Sequence, residues 1–471
     1  VKICFIQKEP FPYFGILSLA GYLKTQGIQS VVLIANLEDD LVQAVRETAP
    51  DLIGFSVMTP EHGWLVETSS KIKKSFPGIP LIVGGIHAIL YPEAILGIPD
   101  VDYVCTGEGE YLLKELCDTL ANNKNPAGIS GIGHRSGDRL VVGDRALLLD
   151  SLSTHLEDRE VYYLRYPALK NDELKQFIAS RGCPYDCSFC FNEQIKEAYA
   201  GKGTYVRMKE PEHLLKEIKQ AESVGIIKSI FFADDLFTLN KKWLRAFLPL
   251  YQKEIALPFM CTTRANLMDD EIAFMLKAAG CHTVSFGVET GCERLRNEVL
   301  NKYISDDEII RCAAVLKKHG IRIQTSNMFC LPDETLSDAF DTVRLNVRIG
   351  TDFAFATLFM PFPGTRLTKY CIDHGYLSND FNFNNIPRSF LHRSILNLSD
   401  KERIENLQKI SYFLIRYPLL LGFGEYVIKN IKYRFIFAPL IFIGTFLRYK
   451  DERRISFFNA IKFLWRFRKS W

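Results

Sequence analysis

Two long stretches of this chain alternate short apolar runs with amphipathic segments, and that alternation limits the fold more than any other feature. In the first, Lys2–Gln7, Ser30–Ile34, Leu52–Val57, Pro80–Val83 and Asp102–Cys105 read as buried strands. Gly15–Thr25, Leu41–Thr48 and Trp64–Phe76 read as the helices between them. The second runs from about 176 to 370. Its candidate strands are Gln176–Ser180, Ser229–Ala233, Phe259–Thr263, Thr283–Val288, Arg322–Met328 and Phe353–Met360. Strands separated by helical stretches predict parallel sheets covered by helices. The reading is α/β: a doubly wound parallel-sheet domain over 1–125, a connector of little periodicity over 126–175, a partial or full β/α barrel over 176–370, and a helical region over 371–471. At 471 residues the chain is long enough for two or three cores.

Ligands of open parallel sheets bind beyond the carboxyl ends of the strands. In the first domain those ends carry Ser56-Val57-Met58-Thr59-Pro60, Gly84-Gly85-Ile86-His87 and Gly107-Glu108-Gly109-Glu110. Paired glycines let a backbone approach a ligand closely, although each is also compatible with a plain tight turn.

The most specific local signal is Cys183-Pro184-Tyr185-Asp186-Cys187-Ser188-Phe189-Cys190, a C-x3-C-x2-C loop that follows a predicted strand and precedes a predicted helix. Thiolates hold iron–sulfur clusters, most often four at a time. Three in one loop leave one iron open to a ligand that is not protein, a catalytic arrangement. A structural zinc site is the other reading, but it wants four ligands, and no second paired set of Cys or His lies nearby. The other nine cysteines read as small buried hydrophobes. Twelve cysteines in so long a chain do not suggest a disulfide scaffold. The opening VKICFIQKEP lacks the form of a signal peptide, so a reducing, cytoplasmic setting is expected.

With these residues in view, the chain resembles the radical S-adenosylmethionine (SAM) superfamily, and its first domain resembles the cobalamin-binding branch of methylases and anaerobic cyclases. The resemblance implies that Cys183, Cys187 and Cys190 bind a [4Fe–4S] cluster whose unique iron chelates SAM. Reductive cleavage then gives methionine and a 5′-deoxyadenosyl radical. It places Phe189 beside the adenine, Asp234 and Asp235 near the SAM amino group, Arg264 on the carboxylate and Glu289 on the ribose hydroxyls. Individually, an Asp pair at a strand end is also an ordinary helix cap. Leu331-Pro332-Asp333-Glu334-Thr335 matches a turn of the branch with Asp333 in place of its usual Gly, and Pro361–Thr365 matches the closing loop. For cobalamin the implied contacts are Ser56, Thr59, Gly84, Gly85, His87, Gly107 and Glu108. The Asp-x-His-x-x-Gly signature of cobalt-ligating domains does not occur, which leaves His62 and His87 as loop contacts or packing residues. The implied chemistry is methylation of a poorly activated carbon or phosphorus, with ring closure or rearrangement as the alternative. A flavodoxin- or ferredoxin-type reductant is the implied partner.

The formal net charge of +3 gives no case for nucleic acid. The segment from Arg448 to Trp471 carries +6, and the rest of the chain −3. Just before it, Phe435–Leu447 is a thirteen-residue uncharged run containing Pro439. That is shorter than the roughly 20 residues a membrane span needs. Basic and aromatic residues mix over Ile455–Trp471, which suits either a segment in a membrane interface or a helical cap with a solvated basic face. The first choice favours an apolar or lipid-like substrate.

Overall fold

The computed structural model describes residues 1–453 except 138, 388, 432 and 433. The expected interfacial segment Ile455–Trp471 lies outside the described residues. The chain divides into two compact units. One comprises residues 1–183 and 194–228, and the other, among the described residues, 184–193 and 229–453.

The first unit is built on a seven-stranded sheet. Its strands are β1 (Lys2–Gln7), β2 (Gln29–Ile34), β3 (Leu52–Ser56), β4 (Leu81–Gly84), β5 (Tyr103–Cys105), β6 (Ile132–Ser136) and β7 (Arg139–Val141), in the order β2-β1-β3-β4-β5-β6-β7. The first five pair in parallel, and β6 and β7 add as an antiparallel hairpin. The strands are apolar on both faces because both faces are covered. Ile3, Phe5, Val32 and Ile82 pack with Leu17, Leu113 and Leu116 on one side. Cys4, Ile6, Ile53 and Val83 pack with Val45, Leu65 and Ile72 on the other. Each such buried side chain contributes roughly 1.5–3 kcal/mol. The expected connector is not structureless: it supplies the β6–β7 hairpin and two short helices, Glu160–Tyr163 and Pro167–Lys170. Its strand signal is weak because β7 is exposed along its whole length. The unit also holds β8 (Leu174–Phe177) and a two-stranded ribbon of β9 (Ser180–Arg181) and β10 (Arg207–Met208), which pair antiparallel.

The second unit carries β11 (Ser229–Phe232), β12 (Phe259–Thr263), β13 (Cys281–Glu289), β14 (Arg322–Phe329) and β15 (Phe353–Leu358), all parallel and adjacent in that order. Sheet pairing ends at β15 among the described residues, so this is a partial barrel. Local chemistry starts its helices cleanly. Asp269 caps 270–278, and capping boxes Ser305/Glu308 and Thr335/Asp338 open 306–318 and 336–349.

Helix Lys401–Arg416 packs on β15 and on helix Leu336–Ile349, and helix Arg434–Arg453 packs against it. The latter continues through Pro439, which sits on its exposed side, while Phe437, Ile441 and Gly444 are buried. This spacing of four then three places them on one face. One face of the C-terminal apolar run is therefore core, while Ile436, Phe442 and Ile443 remain exposed. No helix among the described residues is long and apolar enough to cross a membrane.

Candidate active site

The cysteine loop begins where β9 ends. Gly182 has φ +91°, and a Cβ there would lie 2.7 Å from the carbonyl oxygen of Tyr205, so only glycine fits this turn into Cys183. Beyond it, Cys190 N–H donates to the Cys187 carbonyl at 3.0 Å. Neighbouring segments fix the loop. Ser188 Oγ donates to the Val299 carbonyl at 2.6 Å, and Ser188 N–H to Leu300 at 3.0 Å. Asn301 and Arg366 both donate to the Asp186 carbonyl. Cys183, Cys187 and Cys190 are each part-exposed, whereas eight of the other nine cysteines are buried and Cys292 is intermediate. Among the described residues no three His, Cys, Asp or Glu side chains converge on one metal ion. A cubane cluster holds its thiolates further apart than a single ion does, and three accessible thiols on one pinned loop suit that spacing.

Beside this loop the second unit gathers charge. Glu289 ends β13 with φ +64°, at a register shift against β14. Its carboxylate accepts from Lys302 Nζ at 2.6 Å in a nearly buried pair. Gly287 makes room for that pair, since a Cβ there would meet Glu289 Oε1 at 1.8 Å and Lys302 Nζ at 2.6 Å. Arg264 is buried, stacks 3.8 Å from the Tyr185 ring centroid, and donates to Asn266 Oδ1 at 3.0 Å and to the Lys302 carbonyl. Burial raises the Cys187 thiol pKa, and Lys302 and Arg264 pull it back. Two cations thus lie close to one expected cluster ligand.

The remaining expected SAM contacts are placed as follows. Phe189 packs with the apolar cluster around Leu300, Leu331, Phe359 and Leu367. Asp234 is buried, and its carbonyl accepts from Thr262 Oγ1 at 2.6 Å. Asp235 is exposed by surface area, yet enough protein surrounds its carboxyl that desolvation raises its pKa, against a hydrogen bond from Asn192. The substitution in the Leu-Pro-Asp-Glu-Thr turn has a visible reason. Asp333 takes φ +60°, the conformation glycine adopts easily, and its carboxylate accepts from Tyr370 and Tyr376, each at 2.5 Å.

In the first unit a cavity of about 230 Å³ opens at the carboxyl ends of β3, β4 and β5. Ser56, Gly84, Gly85, Gly107 and Glu108 line it, together with Phe55, Ile86 and Leu113. Gly85 has φ +92°, and a Cβ there would meet Val57 N and O at 2.8 Å. Glycines that let a backbone come close, and apolar walls, suit contact here with part of a large cofactor at the ends of the strands. Thr59 and His87 do not line it. Thr59 is buried in the turn Thr59–Glu61. Of the two readings open for His87, loop contact or packing residue, its placement is the second: it lies in helix Ile86–Leu90, fully buried, with Nε2 2.9 Å from His62 Nδ1. Desolvation, then the neighbouring His62, push its pKa down to about 3. Glu108 is held by partners rather than left open. It accepts from Arg181, from both terminal nitrogens of Arg207 and from Leu149 N–H, each at 2.8 Å. Burial would raise its pKa, but Arg207 and Arg181 outweigh that and hold it near 2.

Lys302, Tyr185, Arg181 and Arg207 were not legible as site residues, whereas Glu110 belongs to the strand-end segment Gly107–Glu110 that the sequence marks. Each of those four reaches its place through tertiary packing, and only Arg181 and Tyr185 carried a sequence cue, their closeness to the cysteines.

Comparison with known proteins agrees with this division. The B12 binding domain family matches residues 8–117, and the Radical SAM superfamily matches residues 177–345. An uncharacterized methyltransferase, PH0819, from Pyrococcus horikoshii is 28% identical over 384 residues, covering 78% of this chain and 80% of that protein. The anaerobic magnesium-protoporphyrin IX monomethyl ester cyclase of Rubrivivax gelatinosus is 25% identical over 370 residues, 75% of this chain and 65% of that protein, just under two thirds of its length. The fold is shared with the cobalamin-dependent SAM radical enzyme OxsB (TM-score 0.68, 14% identity, 98% of this chain and 83% of that one). It is shared also with the radical SAM methyltransferase TsrM of Kitasatospora setae (TM-score 0.65, 19% identity, 81% and 79%). A cysteine loop on a partial barrel and a glycine-lined cavity in a doubly wound domain, each within its own family match, identify the chain as a cobalamin-binding radical SAM enzyme that uses a [4Fe–4S] cluster, SAM and cobalamin.

Proposed function

We propose that this enzyme methylates a poorly activated carbon, or a phosphorus, of an apolar or lipid-like small molecule. The observation that carries the reading is the presence in one chain of both cofactor sites: the cluster loop and the cavity lined by Ser56, Gly84, Gly85, Gly107 and Glu108. When bound, cluster and SAM supply a carbon-centred radical, and cobalamin supplies a methyl carrier. The protein's share is to hold and orient. Cys183, Cys187 and Cys190 hold the cluster. Arg264 and Lys302 offer positive charge to the SAM carboxylate, and Glu289 accepts hydrogen bonds from its ribose. Asp234 and Asp235 sit at the end of β11 to receive the amino group.

The apolar substrate class has separate support. The segment after helix Lys401–Arg416 leaves large apolar side chains in solvent: Leu419 at 99% exposure, Phe423 at 68% and Tyr426 at 67%. Phe442 and Ile443 of the last helix are about half exposed. Exposed apolar side chains of this kind, in a chain whose sequence from Arg448 to Trp471 is strongly basic, suit contact with an anionic membrane surface, from which an apolar substrate can be drawn.

The test is anaerobic reconstitution with iron, sulfide and cobalamin, followed by reduction in the presence of SAM. Formation of S-adenosylhomocysteine together with 5′-deoxyadenosine is expected. 5′-Deoxyadenosine alone would move the reading to ring closure or rearrangement, the reaction type in the cyclase's name. Cys187→Ala should reduce both products to background; undiminished cleavage would remove the cluster assignment.

A further inference from the structure

The residue two places before the first cluster cysteine, Arg181, is only partly exposed and forms part of the cavity wall. Arg181 lines the cavity along with Glu108 and Glu110. Its guanidinium makes three contacts there: NH1 to Glu108 Oε1 at 2.8 Å, NH2 to Glu110 Oε1 at 2.8 Å, and NH2 to Ser18 Oγ at 3.0 Å. Glu108 is gripped from the other strand of the ribbon by Arg207, whose NH1 also holds the Leu149 carbonyl at 2.7 Å. Arg181 and Arg207 are register partners across β9 and β10. Two guanidiniums from one two-stranded ribbon thus close on two carboxylates from the Gly107–Glu110 segment. Glu110 is nearly buried, and Glu108 is little more exposed.

This arrangement is short and stiff. Gly182 turns the chain at once, against the Tyr205 carbonyl, so only this one constrained residue separates Cys183 from the clamp. Charge-assisted bonds of this geometry are directional, and a guanidinium fork resists rotation more than a single ammonium does. A shift of the Gly107–Glu110 segment, which lines the cavity, is therefore transmitted through Glu108 and Glu110 to Arg181 and on to the start of the cysteine loop.

We propose that Arg181 is a positioning residue that couples the two cofactor sites: an ordered cluster loop favours cobalamin binding, and a filled cavity favours the loop. Coupling of this kind is reciprocal, so measurement from one side suffices. The inference rests on the cofactor assignment and not on methyl transfer.

The test measures hydroxocobalamin affinity of the full chain, by equilibrium dialysis with cobalt counting, before and after the cluster is loaded. Cluster loading should tighten cobalamin binding by at least about fivefold in the wild-type protein, the lower end of ordinary coupling between sites. In Arg181→Met the two affinities should become equal, and in Arg181→Lys the ratio should fall between. Glu108→Gln should lower it as well. General destabilisation weakens both affinities and leaves their ratio, so the ratio separates coupling from stability. Should the Met variant not fold, the Lys variant decides. A wild-type ratio of one, or a ratio that Arg181→Met preserves, overturns the proposal. No cobalamin binding in either state overturns the cavity assignment itself, which a separate loss of S-adenosylhomocysteine formation would not do.

Discussion

The cavity of the first unit and the charged region around Glu289 in the second both pair their buried carboxylates with cations, but they differ in backbone. Around the cavity the carboxylates of Glu108 and Glu110 meet the guanidiniums of Arg181 and Arg207. Of the residues lining it, Gly85 alone has a positive φ. In the second unit the backbone around β13 and β14 departs from ordinary geometry. Glu289, Asn301, Tyr303, Cys330 and Asp333 are all non-glycine residues with φ between +49° and +64°. Each such residue costs on the order of 1 kcal/mol and persists only where its surroundings enforce it. The cavity proposed for the larger cofactor thus has a settled wall. In the second region Glu289, an expected SAM contact, is aimed from such an unusual backbone. The comparison implies that damage to the second region falls first on charge balance and only then on backbone.

The largest effect should come from Lys302→Met. It leaves the Glu289 carboxylate nearly buried without the cation at 2.6 Å. Breaking a buried pair on one side costs roughly 3–5 kcal/mol, to be read as a fall in the urea midpoint of the apoprotein. Adding Glu289→Gln removes the stranded charge and should recover most of the loss. If Lys302→Met is silent, the charges around Glu289 are screened by solvent, and the likeness between the two regions disappears.

Much of this architecture was legible in the sequence, for identifiable reasons. All five parallel strands of the first sheet fall within two residues of their expected positions, because strands buried on both faces are written as continuous apolar runs. The cysteine loop was legible because spacing alone defines it. The β6–β7 hairpin was not, since Arg139–Val141 buries nothing and so carries no pattern. For His87 the sequence leaves loop contact and packing both open, because Gly84-Gly85 signals a turn and the helix that follows it is only five residues long and leaves almost no periodicity. Lys302 and Arg181 were missed for a deeper reason. Their roles are set by partners 13 and more than 70 residues away in the chain, which no local window contains.

An intermediate effect should appear with pH, and it belongs to the first unit. His62 and His87 are both shifted below the ordinary imidazole value by desolvation, His87 to about 3. The folded state therefore keeps them neutral at pH values where the unfolded chain takes up protons. Their contribution is full above about pH 6.5 and is lost as pH falls from there toward the folded pKa. For His87 this amounts to about 1.4 kcal/mol per pH unit, or roughly 2 kcal/mol between pH 6.5 and 5. Chemical denaturation of the apoprotein at the two values should show it. His87→Phe should flatten the dependence; an unchanged slope would place the acid sensitivity elsewhere.

The smallest effect tests the strained backbone of the second region directly. Asp333→Gly restores the residue that this turn usually carries and relieves the cost of φ +60°. It also removes the acceptor shared by Tyr370 and Tyr376. Two hydrogen bonds of ordinary net value slightly exceed the strain of one left-handed residue, so the variant should be less stable by about 1 kcal/mol. The deficit carries a pH signature. Burial acts to raise the Asp333 pKa, but the two tyrosine hydroxyls overcome it and leave the pKa lowered. The carboxylate's contribution is then present above the unfolded carboxyl range and fades as pH falls through the folded pKa, so wild type and variant should converge in acid. A variant more stable than wild type at neutral pH would mean that strain outweighs the bonds at Asp333. The departed glycine would then mark a stability cost held at the turn, and the same accounting would have to be applied to Glu289, whose backbone is bent the same way at the end of β13.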